Sequence, residues 1–202
     1  MTRRLHHMVL ASVVLAACAA PGAQREKEAT YDFGLPAAAV AKPVSISGSV
    51  LVPEVAAPEW FDSPGLVYRL VYDDDARTRI YARSRWTAPP ASLVTQRLRA
   101  AVAAATGGRL VLPEDAASAD WVLRVELEAF SQVFETPDRS RALVRMRATL
   151  VRTAERQVVA QRTFGSELAA TSANAPGGAR ALAKGADEVV DAIVVWVAQQ
   201  TQ

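Results

Sequence analysis

The sequence predicts a single α+β domain in which a largely antiparallel β-sheet carries two α-helices packed on one face. Several segments alternate apolar and polar residues and are separated by short polar turns, which is typical of neighbouring antiparallel strands. Two longer segments repeat their apolar residues at helical spacing, so the predicted order is strands, helix, strands, helix. The chain has 202 residues, 50% hydrophobic and 22% charged, which is enough for one substantial core.

The first half contains the predicted strands that precede the first helix. Residues 31–35 form a short strand candidate, and residues 44–52 alternate valine or isoleucine with serine. Residues 66–72 alternate again and are followed by the polar turn Asp73-Asp74-Asp75, after which residues 79–86 return as the partner strand. This pattern predicts a hairpin with one buried face.

A helix is predicted next, because Pro89-Pro90 stops the sheet and proline is tolerated in a first helical turn. Apolar residues recur at helical spacing through Ala105, and Gly107-Gly108 ends the helix. Residues 109–112 form a short strand.

The clearest hairpin joins residues 120–134 to residues 141–152 through a turn at 136–139. A turn centred between Pro137 and Asp138 would place Leu127 opposite Ala148 and Glu128 opposite Arg147, so that apolar and charged pairs fall on separate faces. A third strand is predicted at 158–168. Gly177-Gly178 is predicted to break the chain before a last helix at 179–198.

The N-terminus is typical of a bacterial lipoprotein precursor. Residues 1–17 have a positive start, with Arg3 and Arg4, and then an apolar run too short to span a bilayer. They end in Leu15-Ala16-Ala17-Cys18, which resembles a lipobox with Cys18 as the lipidated residue. The predicted organisation is therefore a signal peptide at 1–17, a lipidated cysteine with a flexible tether at 18–29, and one domain at 30–202. The alternative is an ordinary cleaved signal with a chance cysteine.

Charge and residue usage restrict the function classes. The chain has a formal net charge of +2 with 23 Lys and Arg against 21 Asp and Glu, and the predicted cleavage removes two arginines, which leaves no overall attraction for nucleic acid. The same cleavage removes His6 and His7, so a nucleophile paired with histidine and a His/Cys zinc site are excluded from the mature chain. We therefore expect no enzymatic activity, no cofactor and no metal.

Two acidic groups have a catalytic or metal-binding interpretation beside a simpler one. The Asp73-Asp74-Asp75 run could hold calcium, but it lacks the spacing and glycine of a calcium loop, which favours a solvated turn. Glu126 and Glu128 share a strand face as a carboxylate pair would, but the facing Arg147 favours salt bridges.

Five apolar residues are candidates for contact with a partner or another subunit. In the predicted hairpin Phe130, Phe134 and Leu143 fall on the face opposite Leu127. They therefore form an exposed apolar patch, or a β-bulge near Ser131 reverses the faces of the strand and turns them toward the core. Trp60 and Phe61 form a second aromatic group in a loop, with the same two interpretations.

Several motifs together resemble the ABC-type transport auxiliary lipoproteins of the paraquat-inducible protein C type. They are the segment 64–69, Tyr81, the block Arg85-Trp86-Thr87-Ala88-Pro89-Pro90 before a helix, the segment 130–134 followed by Ser140, and the lipobox. The resemblance covers nearly the whole mature chain.

This resemblance implies a non-catalytic lipoprotein, acylated with palmitate or a related chain, on the periplasmic face of the outer membrane. Ala19, rather than aspartate, follows Cys18 and favours that membrane by the family's rule. The implied partners are a periplasm-spanning mammalian-cell-entry (MCE) domain protein with its inner-membrane permease and ATPase, and some family members assemble into homo-oligomeric rings. A lipoprotein that itself binds a lipid or glycan in a cavity is the alternative, and an enzyme using carboxylates alone is a third.

Overall fold

The structure is a computed structural model that describes residues 28–35 and 44–202. The described strands are β1 (Ala29–Tyr31), β2 (Val50–Leu51), β3 (Gly65–Leu70), β4 (Asp74–Trp86), β5 (Leu110–Val111), β6 (Trp121–Thr136), β7 (Arg139–Arg152) and β8 (Gln157–Ala169). The α-helices are α1 (Pro90–Ala105) and α2 (Ala175–Gln200), and two short 3₁₀ turns lie at Glu59–Phe61 and Pro113–Asp115. The predicted α+β class is confirmed.

The sheet is built around β6 and is mixed, so the prediction of a largely antiparallel sheet is wrong. One edge of β6 pairs antiparallel with β7, which pairs antiparallel with β8. The other edge pairs parallel with β3 near its carboxyl end and parallel with β2 near its amino end. The hairpin of β3 and β4 extends the sheet outward, and β1 then pairs parallel with β4.

The parallel pairs have a physical reason in the chain connections. Helix α1 lies between the β3–β4 hairpin and β6, and a connection of that length lets the chain return so that β3 runs in the same direction as β6. The strands β1, β2 and β5 have only two or three residues each. Their partners are far away in sequence, so no local turn signal sets their direction.

Two register shifts correct the predicted pairing of β6 with β7. Leu127 lies opposite Met146 and Val125 opposite Ala148, which differs by two residues from the prediction, and the pairing shifts between Leu127 and Ala129 and again after Phe134. The first shift is a β-bulge at Glu128. It reverses the faces of β6. Before it the alternate residues Trp121, Leu123, Val125 and Leu127 are buried, and after it Phe130 packs on Trp86 and Gln132 lies beside Gly178 of α2. All of residues 130–134 are buried.

Both helices pack into one hydrophobic core with the sheet. Helix α1 has the predicted bounds, and Gly107 and Gly108 after it take φ values of 62° and 88°, which favour glycine. Within the described residues the two helices contact each other, and their buried residues join those of β6 and β7 in one cluster. Trp86, Trp121 and Trp196 belong to it, as expected. Neither helix is at once long and apolar enough to cross a bilayer.

The predicted break at Gly177-Gly178 is wrong, because both glycines lie in the first turn of α2. Asn174 caps this helix, and its Oδ1 accepts a hydrogen bond from the backbone N–H of Gly177 at 3.0 Å. A Cβ at Gly177 would collide with the carbonyl of Ser172, and one at Gly178 would collide with the side chain of Gln132. Glycine is needed here for close approach, at Gly177 to the preceding loop and at Gly178 to β6, rather than to break the chain before the helix.

Candidate functional site

The point where the N-terminal segment enters the fold is fixed by several contacts. β1 pairs with residues 84–86 of β4, and a salt bridge of 3.2 Å joins Glu28 to Arg85. Just after β1, the guanidinium of Arg97 on α1 donates hydrogen bonds of 2.8 Å to the carbonyls of Phe33 and Gly34. The segment that follows the predicted tether is thus held by the sheet and by α1. Cys18 itself, with the signal and most of the tether, lies outside the described residues.

Arg97 also connects this segment to α2. Its Nε lies 3.0 Å from Oδ1 of Asp187, and both side chains are mostly buried. Burial raises the pKa of Asp187, although the positive charge of Arg97 acts in the opposite direction. One arginine therefore joins β1, α1 and α2 at one end of the helical layer.

The block 85–90 forms the strand-to-helix junction expected from the resemblance. β4 ends at Trp86 and α1 begins at Pro90. The indole of Trp86 is 1% exposed and packs edge-on against Phe33 and at a tilt against Phe130, with ring centroids 5.6 Å apart in each case. Because Phe33 follows β1 and Phe130 lies on β6, this tryptophan joins the entry segment to the centre of the sheet.

A buried polar network centres on Gln132, a residue to which the sequence analysis assigned no role of its own. Its side chain is fully buried; its Oε1 accepts a hydrogen bond from the Tyr81 hydroxyl at 2.9 Å, and its Nε2 donates to Ser140 Oγ at 2.7 Å and to the Asn174 carbonyl at 3.2 Å. Burial raises the pKa of Tyr81, so this hydroxyl stays protonated and donates. The sequence signal for this network is a single glutamine inside an apolar strand segment. A glutamine buried at such a position needs hydrogen-bond partners for its amide, so it indicates a polar network around it.

The predicted aromatic pair in the loop before β3 is divided between surface and core. Trp60 is 65% exposed, whereas Phe61 is 5% exposed and belongs to the core cluster. Their ring centroids lie 6.0 Å apart. Phe61 therefore anchors the loop in the core, and Trp60 is the side chain of the pair that is accessible at the surface.

The exposed patch predicted at Phe130 and Phe134 is not found. After the bulge at Glu128, Phe130 packs on Phe33 and Trp86 and Phe134 packs on Tyr68, so the two rings are 1% and 7% exposed. A bulge was the stated alternative, and it lies near residue 128 rather than 131. Leu143 is half-buried on the opposite face, between Ser131 and Glu167 of the neighbouring strands. Of the hairpin candidates only Leu143 remains at a surface.

The charged candidates form ion pairs. Arg147 contacts both Glu126 and Glu128, and these contacts raise the pKa of Arg147 above its ordinary value. Asp73 in the acidic turn pairs with Arg79. The described part of the chain contains no group of three or more His, Cys, Asp or Glu side chains arranged to hold a metal ion.

Two surface clefts are large enough for a small ligand. The first, about 490 Å³, lies between residues 30–35 and the first half of α2; its lining includes Phe33, Leu35, Arg180 and Lys184. The second, about 600 Å³, lies where β6 begins and α2 ends. Its rim includes Trp121, and the guanidinium of Arg152 lies 4.7 Å over that ring.

Comparisons with known structures show the same fold elsewhere. A DUF330-family protein of Xanthomonas campestris is 20% identical over 86% of this chain and 92% of its own, with a TM-score of 0.66. The crystal structure of an uncharacterized protein is 19% identical over 85% of this chain and 99% of its own, with a TM-score of 0.64. The PelC dodecamer of Paraburkholderia phytofirmans is 12% identical over 80% and 93%, and its TM-score of 0.49 is too low to support an argument. No match was found among curated proteins.

The family comparison covers most of the fold. The model of the ABC-type transport auxiliary lipoprotein component matches residues 31–194, from the end of β1 to the last turns of α2. This range contains the strand-to-helix junction at Trp86, the Gln132 network and the exposed loop at Trp60. The chain therefore belongs to the family of ABC-type transport auxiliary lipoprotein components.

Proposed function

We propose that this chain is a non-catalytic outer-membrane lipoprotein that acts as the docking component of an ABC-type, MCE-linked lipid-transport system. The family match over residues 31–194 carries the proposal. An acyl chain on Cys18 would hold the domain at the periplasmic face of the membrane. The domain would bind the end of a periplasm-spanning MCE-domain protein, whose permease and ATPase lie in the inner membrane.

The construction of the entry segment supports an anchored role. β1 directly follows the predicted tether and pairs with β4. Through the hydrogen bonds from Arg97 and the packing of Phe33 on Trp86, a pull on the tether would be transmitted to the helical layer and to the centre of the sheet.

Trp60 is the residue that we propose for partner contact. It is large and exposed, and the core residue Phe61 fixes the loop that carries it. Tryptophan is enriched among residues that dominate binding energy at interfaces. Leu143 is proposed as a second contact, either with the same partner or between subunits of a ring.

Photo-crosslinking in intact envelopes tests the docking proposal. A photoreactive amino acid is placed at Trp60 and, in a matched control, at Val158. Val158 is also apolar, and its 56% exposure on β8 is similar to the 65% of Trp60. Capture of an MCE-domain protein from position 60 but not from position 158 is the expected result. Capture of neither, in protein that still fractionates with the outer membrane, would contradict the docking role.

A lipid-binding lipoprotein is the second candidate, and the cleft beside α2 favours it. That cleft combines apolar side chains, such as Phe33 and Leu35, with charged side chains of both signs. The cations are Arg180 and Lys184, and the anions are Asp32 and Asp187. An apolar wall next to balanced charges suits an amphiphile with a zwitterionic head. Organic extraction of the purified protein, followed by mass spectrometry, separates the two candidates: stoichiometric lipid supports the carrier, and its absence supports the docking component.

A further inference from the structure

The parallel pairing of β1 with β4 sets the direction from which the N-terminal chain reaches the domain. Ala29 pairs with Ser84 and Tyr31 with Trp86, so Glu28 lies on the side of the earlier residues of β4. β4 begins immediately after the turn at residues 71–73 that joins it to β3. Followed from Tyr31 back to Glu28, the chain therefore runs toward the end of the sheet that carries this turn.

The length of the tether allows an anchor to lie at or beyond that turn. β3 has six residues, from Gly65, which pairs with Arg85, to Leu70 beside the turn, and six strand residues span about 20 Å. Nine residues lie between Cys18 and Glu28, and the ten Cα–Cα steps from one to the other span at most about 35 Å when extended. An acyl chain on Cys18 can thus be embedded in a bilayer while the turn lies against the bilayer surface.

The turn itself has an unusual surface for a strand connection. Val71 and Tyr72 are adjacent and are 47% and 49% exposed, although turn positions mostly carry polar residues. Hydrogen bonds hold the turn: the Val71 N–H donates to the Phe134 carbonyl at 2.9 Å, and the Asp73 N–H donates to the Leu70 carbonyl at 3.1 Å. The turn at the opposite end of the sheet, residues 153–156, contains no large apolar side chain.

We propose that the Val71–Tyr72 turn rests in the headgroup layer of the membrane that holds the anchor, and that it orients the domain there. This inference rests on the proposed lipidation of Cys18. Tyrosine has an apolar ring with a polar hydroxyl and is enriched at membrane–water interfaces. The acidic run Asp73-Asp74-Asp75 follows directly, and Asp73 pairs with Arg79. Arg69, Arg77 and Arg79 balance the three aspartates, so residues 69–79 carry no net charge and suit zwitterionic phospholipids.

The contact is tested with a fluorophore on the full, acylated protein in vesicles. Cys18 is the only cysteine, so after its acylation a Tyr72→Cys substitution supplies a single reactive thiol. Ala154→Cys is the matched control, since Ala154 is an exposed residue of the turn at the other end of the sheet. Each variant is labelled with an environment-sensitive dye and reconstituted in phosphatidylethanolamine/phosphatidylcholine vesicles containing brominated lipid, which quenches dyes that touch the bilayer.

We expect at least about twofold stronger quenching at position 72 than at position 154, because interfacial aromatic positions lie at headgroup depth. Adding phosphatidylglycerol should leave the quenching at position 72 largely unchanged, because the aspartates of the hairpin are balanced by arginines. Equal quenching at both positions would overturn the proposed contact. A dye at position 72 that is shielded before vesicles are added would place a second copy of the chain on the turn, which also overturns it.

Vesicle flotation distinguishes failure of this inference from failure of the anchor. The unsubstituted acylated chain should float with the vesicles, whereas Cys18→Ala should not. If the unsubstituted chain does not float, the anchor and the turn contact are both wrong. If it floats and the two labelled positions are quenched equally, the anchor stands and only the turn contact is wrong.

Discussion

Replacing Gly178 by alanine is expected to destabilise the protein, although alanine is the better helix former. Gly178 lies in the first turn of α2, where a Cβ would overlap the Gln132 side chain. Gln132 cannot move away freely, because Tyr81, Ser140 and Asn174 hold it by hydrogen bonds of 2.7 to 3.2 Å. Accommodating the methyl group requires either that α2 moves outward or that the network opens.

The magnitude follows from three contributions to the free energy of unfolding. Overpacking a filled interior costs about 1–3 kcal/mol, and leaving one buried hydrogen-bonding group unsatisfied costs about 1–3 kcal/mol. The gain in helix propensity from glycine to alanine is about 1 kcal/mol. The net loss is about 1–5 kcal/mol, which corresponds to a fall in Tm of roughly 2–20 °C for a domain of this size.

Thermal melting followed by circular dichroism measures the effect, with Gly185→Ala as the matched control. Gly185 lies on the same helix, but a Cβ there would lie 3.1 Å from the terminal methyl of Val144, which can yield by a few tenths of an ångström. We expect Gly185→Ala to change the free energy of unfolding by less than about 1 kcal/mol. A double variant that adds Gln132→Ala removes the obstacle, so its loss should be smaller than the sum of the two single losses. Equal melting of Gly178→Ala and Gly185→Ala would refute the reasoning.

Three further predictions concern the surface, the entry segment and the effect of pH. Trp60→Ala should leave the free energy of unfolding within about 0.5 kcal/mol of the value for the unsubstituted protein. Phe61→Ala should lower it by about 3–5 kcal/mol, and urea denaturation measures both. Similar losses in the two variants would show that the loop is not divided between surface and core. Arg97→Met removes the donors to the carbonyls of Phe33 and Gly34 after β1. Each hydrogen bond from a charged group contributes about 1.5–3 kcal/mol, so the β1 amides should exchange hydrogen at least about tenfold faster. Unchanged exchange would contradict the conclusion that Arg97 holds this segment. The backbone N–H and hydroxyl of Ser49 donate to Asp120 and lower its pKa. The stability that this carboxylate contributes is therefore present above the ordinary carboxyl pKa and is lost as pH falls through the lowered pKa. Asp120→Asn should thus reduce the fall in Tm between about pH 6 and pH 3, and an unchanged dependence of Tm on pH would contradict this prediction.

The elements that the sequence predicted well are those with local signals at both ends. Helix α1 has prolines at its start and glycines with positive φ after its end, so both bounds follow from backbone chemistry. The hairpin of β6 and β7 has alternating residues on both strands and a proline-containing turn between them. No long-range contact is needed to recognise either element.

The features that could not be predicted depend on contacts between distant segments. The bulge at Glu128 adds one residue to a regular alternation, and only the packing of Phe130 on Trp86 and Phe33 shows that the faces reverse there. The sequence alone therefore leaves a surface position open for Phe130. Gly178 likewise has the residue type of a helix breaker, and only the Gln132 side chain in the space beside it explains the glycine.

The candidate site shows the same division. Trp60 and Phe61 are adjacent in sequence and alike in chemistry, so composition could not tell which one is exposed. Which ring is exposed depends on the 3₁₀ turn at Glu59–Phe61, because successive side chains of such a turn point in different directions. Here Phe61 reaches the core and Trp60 does not. A prediction of an aromatic contact loop was therefore within reach of the sequence, while the identity of its exposed residue was not.

An anchored docking protein needs a defined direction between its anchor and its binding surface, and the described contacts supply one. A tether ending at a freely moving segment would leave the domain free to rotate. Here β1 is paired to β4, and Arg97 holds the backbone just beyond it from α1. β1 therefore joins the sheet along a fixed strand direction, and the loop carrying Trp60 leads into β3, the strand that pairs with β4. Because β1 and the proposed contact surface lie on strands of the same sheet, an anchor on Cys18 would set the direction of that surface.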